Sequence, residues 1–216
     1  MRVVVATEGD LELRVLRCIL KQVRARNQTV QAEILKLTCQ PDGPARHIAR
    51  KARPLLLIAE SKLAVKFILV LDRETRAELP GVIAAEIADE IRRTGDWRVQ
   101  VEVVIKDRMV ENWLIADLAA LRRLRNRFKV SKKLQQAVEP NKADRIDALS
   151  LLKRAVIGHS YDKMDDGARI SNELDILRAA SNSRSLRHLL HVLECPPYEL
   201  RCASPAQVAV LKKARR

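Results

Sequence analysis

Acidic residues follow three apolar segments of the chain that are predicted to be β-strands. These positions are Glu8, Asp72 with Glu74, and Glu111. Because the carboxyl ends of parallel strands meet at one edge of a sheet, we expect these side chains to converge there. Carboxylate oxygens are hard ligands that suit Mg²⁺ or Mn²⁺. The sequence therefore predicts one metal site, in which Glu8 is either a ligand or a general base.

Two further charged residues are candidates for the same site. Glu12 lies four residues after Glu8, on the same face of the first predicted helix, and is a candidate ligand for a second metal ion. It is equally well explained as a surface glutamate near the positive end of that helix. Lys163, two residues after Tyr161, is a candidate positive charge beside a reacting phosphate. The alternative is an ordinary surface lysine.

The segment after Glu111 contains residues with structural explanations. Asp117 falls six residues after Glu111, which is not the same helical face, so we expect it to pair with Arg122 or another basic side chain. Trp113 and Leu114 are expected to pack in the core and to anchor the helix that carries Glu111.

The elements that position these residues alternate between strands and helices in the first half of the chain. Short β-branched or apolar runs predict the strands, and apolar residues at helical spacing predict the helices. The predicted strands are 2–6, 30–38, 66–71 and 98–105, and the predicted helices are 11–23, 45–64 and 80–93. This alternation favours an α/β fold with a mostly parallel sheet and helices on both faces.

The strand signal ends near residue 108. Helices are predicted over 110–127, 131–138, 142–157, 167–180 and 184–194, with loops at 141–144, 158–167 and 181–185. The sequence thus divides into an α/β domain, 1–108, and a helical portion, 109–216, that packs on it and carries the third acidic position.

The charge of the chain favours a polyanionic partner. Lys and Arg number 41 against 27 acidic residues, a net charge of +14, which is typical of nucleic-acid-binding proteins. Aromatic residues make up only 3%, so contacts to phosphates are expected rather than stacking on bases. Candidate phosphate contacts, each also explicable as a solvated surface charge, are Arg122, Arg123, Arg125, Arg127, Lys129, Lys132, Lys133, Arg184 and Arg187.

Other compositional features bear on the compartment. No run of about 18 apolar residues is long enough to span a bilayer, and no signal-peptide pattern precedes the first strand. The cysteines lack paired CxxC spacing, so reduced thiols are expected. A cytoplasmic location without membrane contact follows as the expectation.

Several motifs together resemble a known family. Glu8-Gly9 closes the first strand, and Asp72-x-Glu74 closes a later one. Further similarity lies in residues 70–74 (VLDRE), 106–117 (KDRMVENWLIAD), 161–163 (YDK), 166–170 (DGARI) and 183–187 (SRSLR). The chain resembles small bacterial Toprim-fold proteins that are related to OLD-type (overcoming lysogenization defect) nucleases. It differs from the Toprim Asp-x-Asp pattern at Glu74, whose side chain is one methylene longer.

The resemblance implies a Toprim-like domain and an Mg²⁺- or Mn²⁺-dependent nuclease. It also implies an ABC-type ATPase partner and a role as a toxin-like effector of antiviral defence. Two alternatives stay open: a non-catalytic nucleic-acid-binding or regulatory subunit of such a complex, and a housekeeping RNA-processing nuclease. The chain has no G-x-x-x-x-G-K-[ST] loop, so nucleotide hydrolysis by that route is not expected. The oligomeric state is left open, a homodimer included.

Overall fold

The computed structural model describes residues 1–199 and contains one parallel β-sheet with the strand order β2-β1-β3-β4. Apolar, largely β-branched runs form the buried strands, whereas the edge strand at residues 31–36 is only partly buried. The strands are β1 (Arg2–Thr7), β2 (Gln31–Lys36), β3 (Lys66–Asp72) and β4 (Gln100–Lys106). Every neighbouring pair is parallel. The predicted α/β fold class is confirmed.

Three helices connect these strands and cover both faces of the sheet. They are α1 (Asp10–Arg26), α2 (Ala45–Ser61) and α3 (Pro80–Arg93). Side chains of a strand alternate between the two faces. Accordingly, Val3 and Val5 of β1 pack with the buried face of α1, whereas Val4 and Ala6 pack with α2 and α3.

The strand order creates a crevice at the carboxyl edge of the sheet. From β1 the chain passes to β2 on one side, and it then crosses to β3 on the other side of β1. The connections after β1 and β3 therefore leave the sheet in different directions. Such a reversal opens the position where α/β sheets bind ligands. Glu8 follows β1, and Asp72 ends β3, so both residues border this crevice.

Seven helices follow β4 among the described residues. They are α4 (Val110–Ile115), α5 (Leu118–Arg123), α6 (Lys132–Val138), α7 (Ala148–Ala155), α8 (Lys163–Glu173), α9 (Ile176–Asn182) and α10 (Arg184–Val192), with a short 3₁₀ helix at Ala143–Arg145. Residues 200–216, which the predicted helical portion includes, lie outside the described residues. Within the described part of the chain, no helix has both the length and the apolar character needed to cross a membrane.

Capping aspartates divide segments for which the sequence predicts single helices. Asp117 accepts hydrogen bonds from the N–H groups of Ala119 and Ala120, so the predicted helix 110–127 breaks there. Asp147 and Asp175 begin α7 and α9 in the same way, within the predicted helices 142–157 and 167–180. Asp162 begins α8 inside the predicted loop 158–167. In each case the carboxylate satisfies N–H groups that a helix start leaves without partners.

The helices after β4 share a hydrophobic core with α1 and one face of the sheet. Trp113 and Leu114 are buried in this core, as predicted, and the indole Nε1 of Trp113 donates to Ser185 Oγ at 2.7 Å. Helix α8 approaches α1 closely at Gly167, where a Cβ atom would lie 2.6 Å from Leu11 Cδ1. The helical portion and α1 therefore form one packed unit.

Candidate metal centre

Three carboxylates meet at the carboxyl edge of the sheet. Glu8, Glu12 and Asp72 each offer an oxygen, and these oxygens all lie within 4.8 Å of one another. Asp72 and Glu12 are buried, and the Glu8 side chain is mostly so. Two of these residues are more than 60 positions apart in the sequence, and the fold brings them together as the strand-end pattern predicts.

Backbone and side-chain contacts fix the position of Glu8. The backbone N–H of Asp72 donates to Glu8 Oε1 at 2.9 Å, and the Thr7 hydroxyl donates to Glu8 Oε2 at 3.2 Å. These contacts tie the end of β1 to the end of β3, so the Glu8 carboxylate points across the crevice.

Glu12 enters the same group from the first turn of α1, where the helix dipole favours negative charge. Its carboxylate folds back over Gly9. A Cβ atom at position 9 would lie only 1.8 Å from Glu12 Oε2. Gly9 is therefore needed for the carboxylate to occupy this position, because any larger residue would displace it.

Lys106 lies among these carboxylates and is the main site residue that the sequence reasoning missed. Its Nζ lies 2.7 Å from Asp72 Oδ1, 3.5 Å from Glu8 Oε1 and 3.9 Å from Glu12 Oε1. The side chain is 1% exposed, and Nζ lies 5.9 Å from the centroid of the Trp113 ring. We call Glu8, Glu12, Asp72 and Lys106 the acid pocket.

Burial and mutual attraction compete in setting the protonation of the acid pocket. Burial is the largest influence on Asp72 and raises its pKa to about 7, against the opposing attraction of Lys106. Burial acts to lower the pKa of Lys106, but Asp72, Glu8 and Glu12 together raise it overall. Lys106 is therefore held as a cation, and Asp72 has a higher pKa than an ordinary aspartate because burial outweighs the attraction of Lys106.

Glu111 lies next to the acid pocket rather than inside the group of three carboxylates. Its side chain is 0% exposed, and neither carboxylate oxygen has a hydrogen-bond partner. Lys163 Nζ lies 3.5 Å from Glu111 Oε1. Burial acts to lower the pKa of Lys163, but Glu111, Glu12 and Asp72 raise it overall. The half-exposed Lys163 side chain thus contacts Glu111 and is near enough to Glu12 and Asp72 to be influenced by their charges.

Glu74 does not join the three carboxylates. It adopts a left-handed backbone conformation with φ of 54° in the turn after β3, and its N–H donates to Arg108 O at 3.1 Å. Burial raises the pKa of Glu74. The side chain lines a neighbouring cleft, so the structure places it beside the acid pocket and not among the candidate ligands.

The family of the chain can be stated from a comparison with protein-family models. The model described as "Domain of unknown function (DUF4276)" matches residues 7–194. The chain belongs to the DUF4276 family. The matched region of this DUF4276 protein includes the whole acid pocket, Glu111 and Lys163. Comparison with curated proteins found no match, and comparison with solved structures found none.

The acid pocket of this DUF4276 chain fits a divalent cation in ligand type and in charge. Three carboxylates and one lysine ammonium carry −3 + 1 = −2 when all are ionised, which one divalent ion would neutralise. Oxygen is the ligand that Mg²⁺ and Mn²⁺ prefer. The two Glu111 oxygens that lack hydrogen-bond partners add acceptor capacity next to the pocket. Glu8, Glu12 and Asp72 are thus the residues that would hold the ion.

Several arginines that were predicted to contact phosphates are engaged within the protein. Arg127 binds Asp166 in a bidentate pair and also donates to the carbonyls of Ile157, His159 and Ser160. Arg187 is 4% exposed and donates to Ala180 O and Asn141 Oδ1. These two guanidinium groups hold loops and helices together, and that of Arg187 is buried.

The other predicted basic residues lie at or near the surface. Arg122 donates to Gln135 Oε1, and Arg123 pairs with Glu173. Arg184 pairs with Asp107. The other basic residues of the segment 122–133 that were predicted to contact phosphates are exposed: Arg125, Lys129, Lys132 and Lys133. Asp117, for which a basic partner was expected, pairs with Arg178 rather than Arg122.

Proposed function

We propose that this DUF4276 protein is a metal-dependent nuclease that hydrolyses phosphodiester bonds in DNA or RNA. The observation that carries the proposal is the meeting of Glu8, Glu12 and Asp72 within 4.8 Å at the crevice of the sheet. Three buried carboxylates repel one another, and the single positive charge of Lys106 offsets only part of that repulsion. The net charge of +14 supports a polyanionic substrate.

The proposed chemistry assigns a role to each group. A bound Mg²⁺ or Mn²⁺ would neutralise phosphate oxygens, lower the pKa of an attacking water and stabilise the leaving oxygen. Asp72 and Glu12 would serve as ligands, and Glu8 as a ligand or general base. Lys163, half-exposed beside the pocket, would place its ammonium against an oxygen of the reacting phosphate.

Lys106 has a positioning role in this proposal. Because it is fully buried and bound to Asp72, it cannot reach a substrate phosphate from its present position. It would orient the Asp72 carboxylate and offset part of the negative charge before the metal ion binds.

The resemblance to OLD-type nucleases extends the proposal to the biological setting. On that basis the protein would act with an ABC-type ATPase partner as a toxin-like effector of antiviral defence. A homodimer is compatible with this setting. These parts of the proposal depend on the sequence motifs alone, and co-purification of the chain with a co-expressed ATPase tests them.

One observation favours a second candidate function. Lys106 already contacts all three carboxylates, so the acid pocket could be a purely structural ion cluster. The protein would then be a non-catalytic nucleic-acid-binding or regulatory subunit. It would bind polynucleotides without cleaving them, whether or not divalent ions were present.

A cleavage assay separates these candidates. Purified protein is incubated with supercoiled DNA, single-stranded DNA and tRNA, with Mg²⁺, Mn²⁺ or a chelator, and with or without the candidate ATPase. Cleavage that requires a divalent ion and is lost in both Glu8→Gln and Asp72→Asn would establish the nuclease. Preference for tRNA would favour a housekeeping RNA-processing role.

The matched control is Asp10→Asn. Asp10 is an exposed acidic residue in the same first turn as Glu12, and it pairs with Lys36. This variant should cleave at the wild-type rate. Cleavage that persists unchanged in Glu8→Gln and Asp72→Asn would refute the site assignment, and binding without cleavage under every condition would favour the non-catalytic subunit.

A further inference from the structure

A cleft lined by five arginines lies beside the acid pocket. Its volume is about 410 Å³, within the range of small ligand sites. The arginines come from the turn after β3, the turn after β4, the 3₁₀ helix and the start of α10. We call Arg73, Arg76, Arg108, Arg145 and Arg184 the arginine cleft. None of these except Arg184 belongs to the basic residues predicted from the sequence to contact phosphates.

We infer that the arginine cleft binds the sugar-phosphate backbone of the substrate next to the phosphate that is cleaved. This inference rests on the proposed nuclease function and specifies its substrate as a polynucleotide rather than a small phosphate ester. The reasons are the charge of the cleft, its continuity with the acid pocket and the unused hydrogen-bonding capacity of its side chains.

The arginine cleft is positively charged despite the acidic residues in its wall. Asp107 is committed to Arg184, whose Nη2 lies 2.8 and 2.7 Å from its two oxygens. Asp144 is likewise committed: its oxygens accept buried hydrogen bonds from the Ser183 hydroxyl and the Ser185 N–H. Burial of Asp144 raises its pKa. The remaining acid, Glu74, faces the other four arginines, so the cleft favours an anion.

The cleft and the acid pocket are formed by consecutive residues at two places in the chain. Arg73 directly follows the candidate ligand Asp72, and Asp107 directly follows Lys106. The N–H of Arg73 donates to Lys106 O at 3.0 Å, which extends the β3–β4 pairing into the cleft. A polynucleotide that placed one phosphate over Asp72 would therefore bring the adjoining part of its backbone beside Arg73 in the cleft.

The arginine cleft contains a hydrogen-bond donor that no acceptor in the described part of the chain uses. Arg73 Nε is buried and has no hydrogen-bond partner, while Arg73 Nη2 donates to Ala77 O. Arg108 and Arg145 are exposed at the cleft. A buried donor without a partner is costly, and phosphate oxygens are the acceptors that guanidinium groups bind best.

The test compares small and large substrates in Arg108→Ala, Arg145→Ala and the double variant. Bis(4-nitrophenyl) phosphate is a diester without flanking backbone, so it reaches only the acid pocket. Its metal-dependent hydrolysis should be unchanged in the variants. For a labelled oligonucleotide, KM should rise about tenfold or more in the double variant, with a smaller change in kcat.

Binding measurements in a chelator give a readout that does not require cleavage. Fluorescence anisotropy of a labelled oligonucleotide should show weaker binding by the double variant. The slope of log affinity against log salt, which is negative, should become smaller in magnitude by about 2, because two phosphate contacts are lost. The matched control is Arg92→Ala, since Arg92 is an exposed arginine on α3 that pairs with Asp89. Its binding should equal that of the wild type.

The outcomes distinguish the inference from the proposed function. If oligonucleotides are cleaved and the cleft variants bind and cleave like Arg92→Ala, the inference is overturned while the nuclease proposal stands. Loss of binding in Lys132→Ala/Lys133→Ala but not in the cleft variants would also overturn it. If no substrate is ever cleaved but the cleft variants lose binding, the nuclease proposal fails and the cleft is supported as the polynucleotide site.

Discussion

Lys106 and Asp72 lie directly opposite each other on neighbouring strands, and their charged groups are 2.7 Å apart. Both residues end their strands, and both side chains turn into the crevice instead of towards solvent. This pair therefore places a positive charge at the centre of three carboxylates. Any divalent ion that binds there must share these carboxylates with the lysine.

Replacement of Lys106 by methionine should make the metal-free protein less stable. The substitution keeps most of the side-chain volume but leaves three carboxylates without their buried counter-charge. The expected loss of unfolding free energy is about 3 to 5 kcal/mol, measured by urea denaturation near neutral pH. Mn²⁺ should restore part of this loss, because it supplies the missing positive charge.

The control for that variant is Lys66→Met. Lys66 begins β3 and pairs with the more exposed Glu194, so its removal should cost much less. Equal losses in both variants, or a Lys106→Met protein that Mn²⁺ does not stabilise, would contradict the charge balance described for the acid pocket.

The Glu111→Gln variant should lose activity without losing stability. Both Glu111 oxygens are buried without hydrogen-bond partners, so removal of the charge relieves an unfavourable burial. If the carboxylate supports the metal site or positions Lys163, cleavage should slow by about 10- to 100-fold. Single-turnover cleavage and urea denaturation of the same preparations measure the two effects.

A suitable comparison is Glu173→Gln, at the end of α8, where the carboxylate pairs with Arg123 at the surface. Its cleavage rate should match that of the wild type. A Glu111→Gln protein that cleaves at the wild-type rate would show that Glu111 has no part in the reaction.

The site was only partly predictable from the sequence. Glu8 and Asp72 could be placed together because parallel strands end at a common edge, a property of any such sheet. Glu12 followed from helical spacing. Lys106 was missed because a lysine at the end of an apolar strand normally marks the surface. Its inward position depends on the β3–β4 register, which local sequence does not specify.

The contacts of two arginines could not be predicted from the sequence either. Arg127 and Arg187 lie in basic stretches, where charge alone indicates a solvated face. Their partners are carbonyls and acids that are distant in the sequence, such as Asp166 for Arg127 and Ala180 for Arg187. The sequence does contain a signal for the helix breaks, since each one falls at an aspartate that caps the next helix, as Asp117 does.

Stabilisation by Mn²⁺ should depend on pH through Asp72. Its folded-state pKa of about 7 exceeds the unfolded value of about 3.9, so the folded state retains the proton longer. Without metal, this group therefore makes stability fall as pH rises between those values. A metal ion must displace the proton, so the increase in Tm with Mn²⁺ should be larger above neutral pH than below it.

Asp72→Asn provides the control for this pH dependence. The variant cannot titrate at position 72, so its response to Mn²⁺ should be small and nearly constant across the same range. A wild-type protein whose Tm increase is greatest on the acidic side would argue against metal binding by Asp72.

The Asp166→Asn variant should destabilise the loop before α8. Hydrogen bonding from Arg127 lowers the pKa of Asp166. A lowered carboxyl pKa contributes stability at neutral pH, and this contribution is lost as pH falls below the unfolded value of about 3.9. The urea midpoint of the variant should therefore be lower than that of the wild type near neutral pH. The difference should narrow in acid, and a constant difference would contradict the ion pair.

Asp117 provides a test of the capping that divides the predicted helix. Asp117→Ala removes the acceptor for Ala119 and Ala120 and for the N–H of Asp175. The expected cost is at least about 1 to 2 kcal/mol in urea denaturation. Asp117→Asn keeps a capping oxygen for Ala119 and Ala120. It loses the charge that binds Arg178 and the acceptor for the Asp175 N–H, so its loss should be smaller than that of Asp117→Ala. Equal losses would assign the effect to the contacts with Arg178 and Asp175 instead of the helix cap.

The close approach of α8 to α1 at Gly167 bears on how the protein is made. Synthesis proceeds from the amino terminus, so the sheet and α1 leave the ribosome well before α8 does. Until then, the apolar side of α1 that later contacts α8 has nothing to cover it. Nascent chains of this protein should therefore expose an apolar surface during that interval, and Lys163, at the start of α8, should reach its place beside the acid pocket only late in translation.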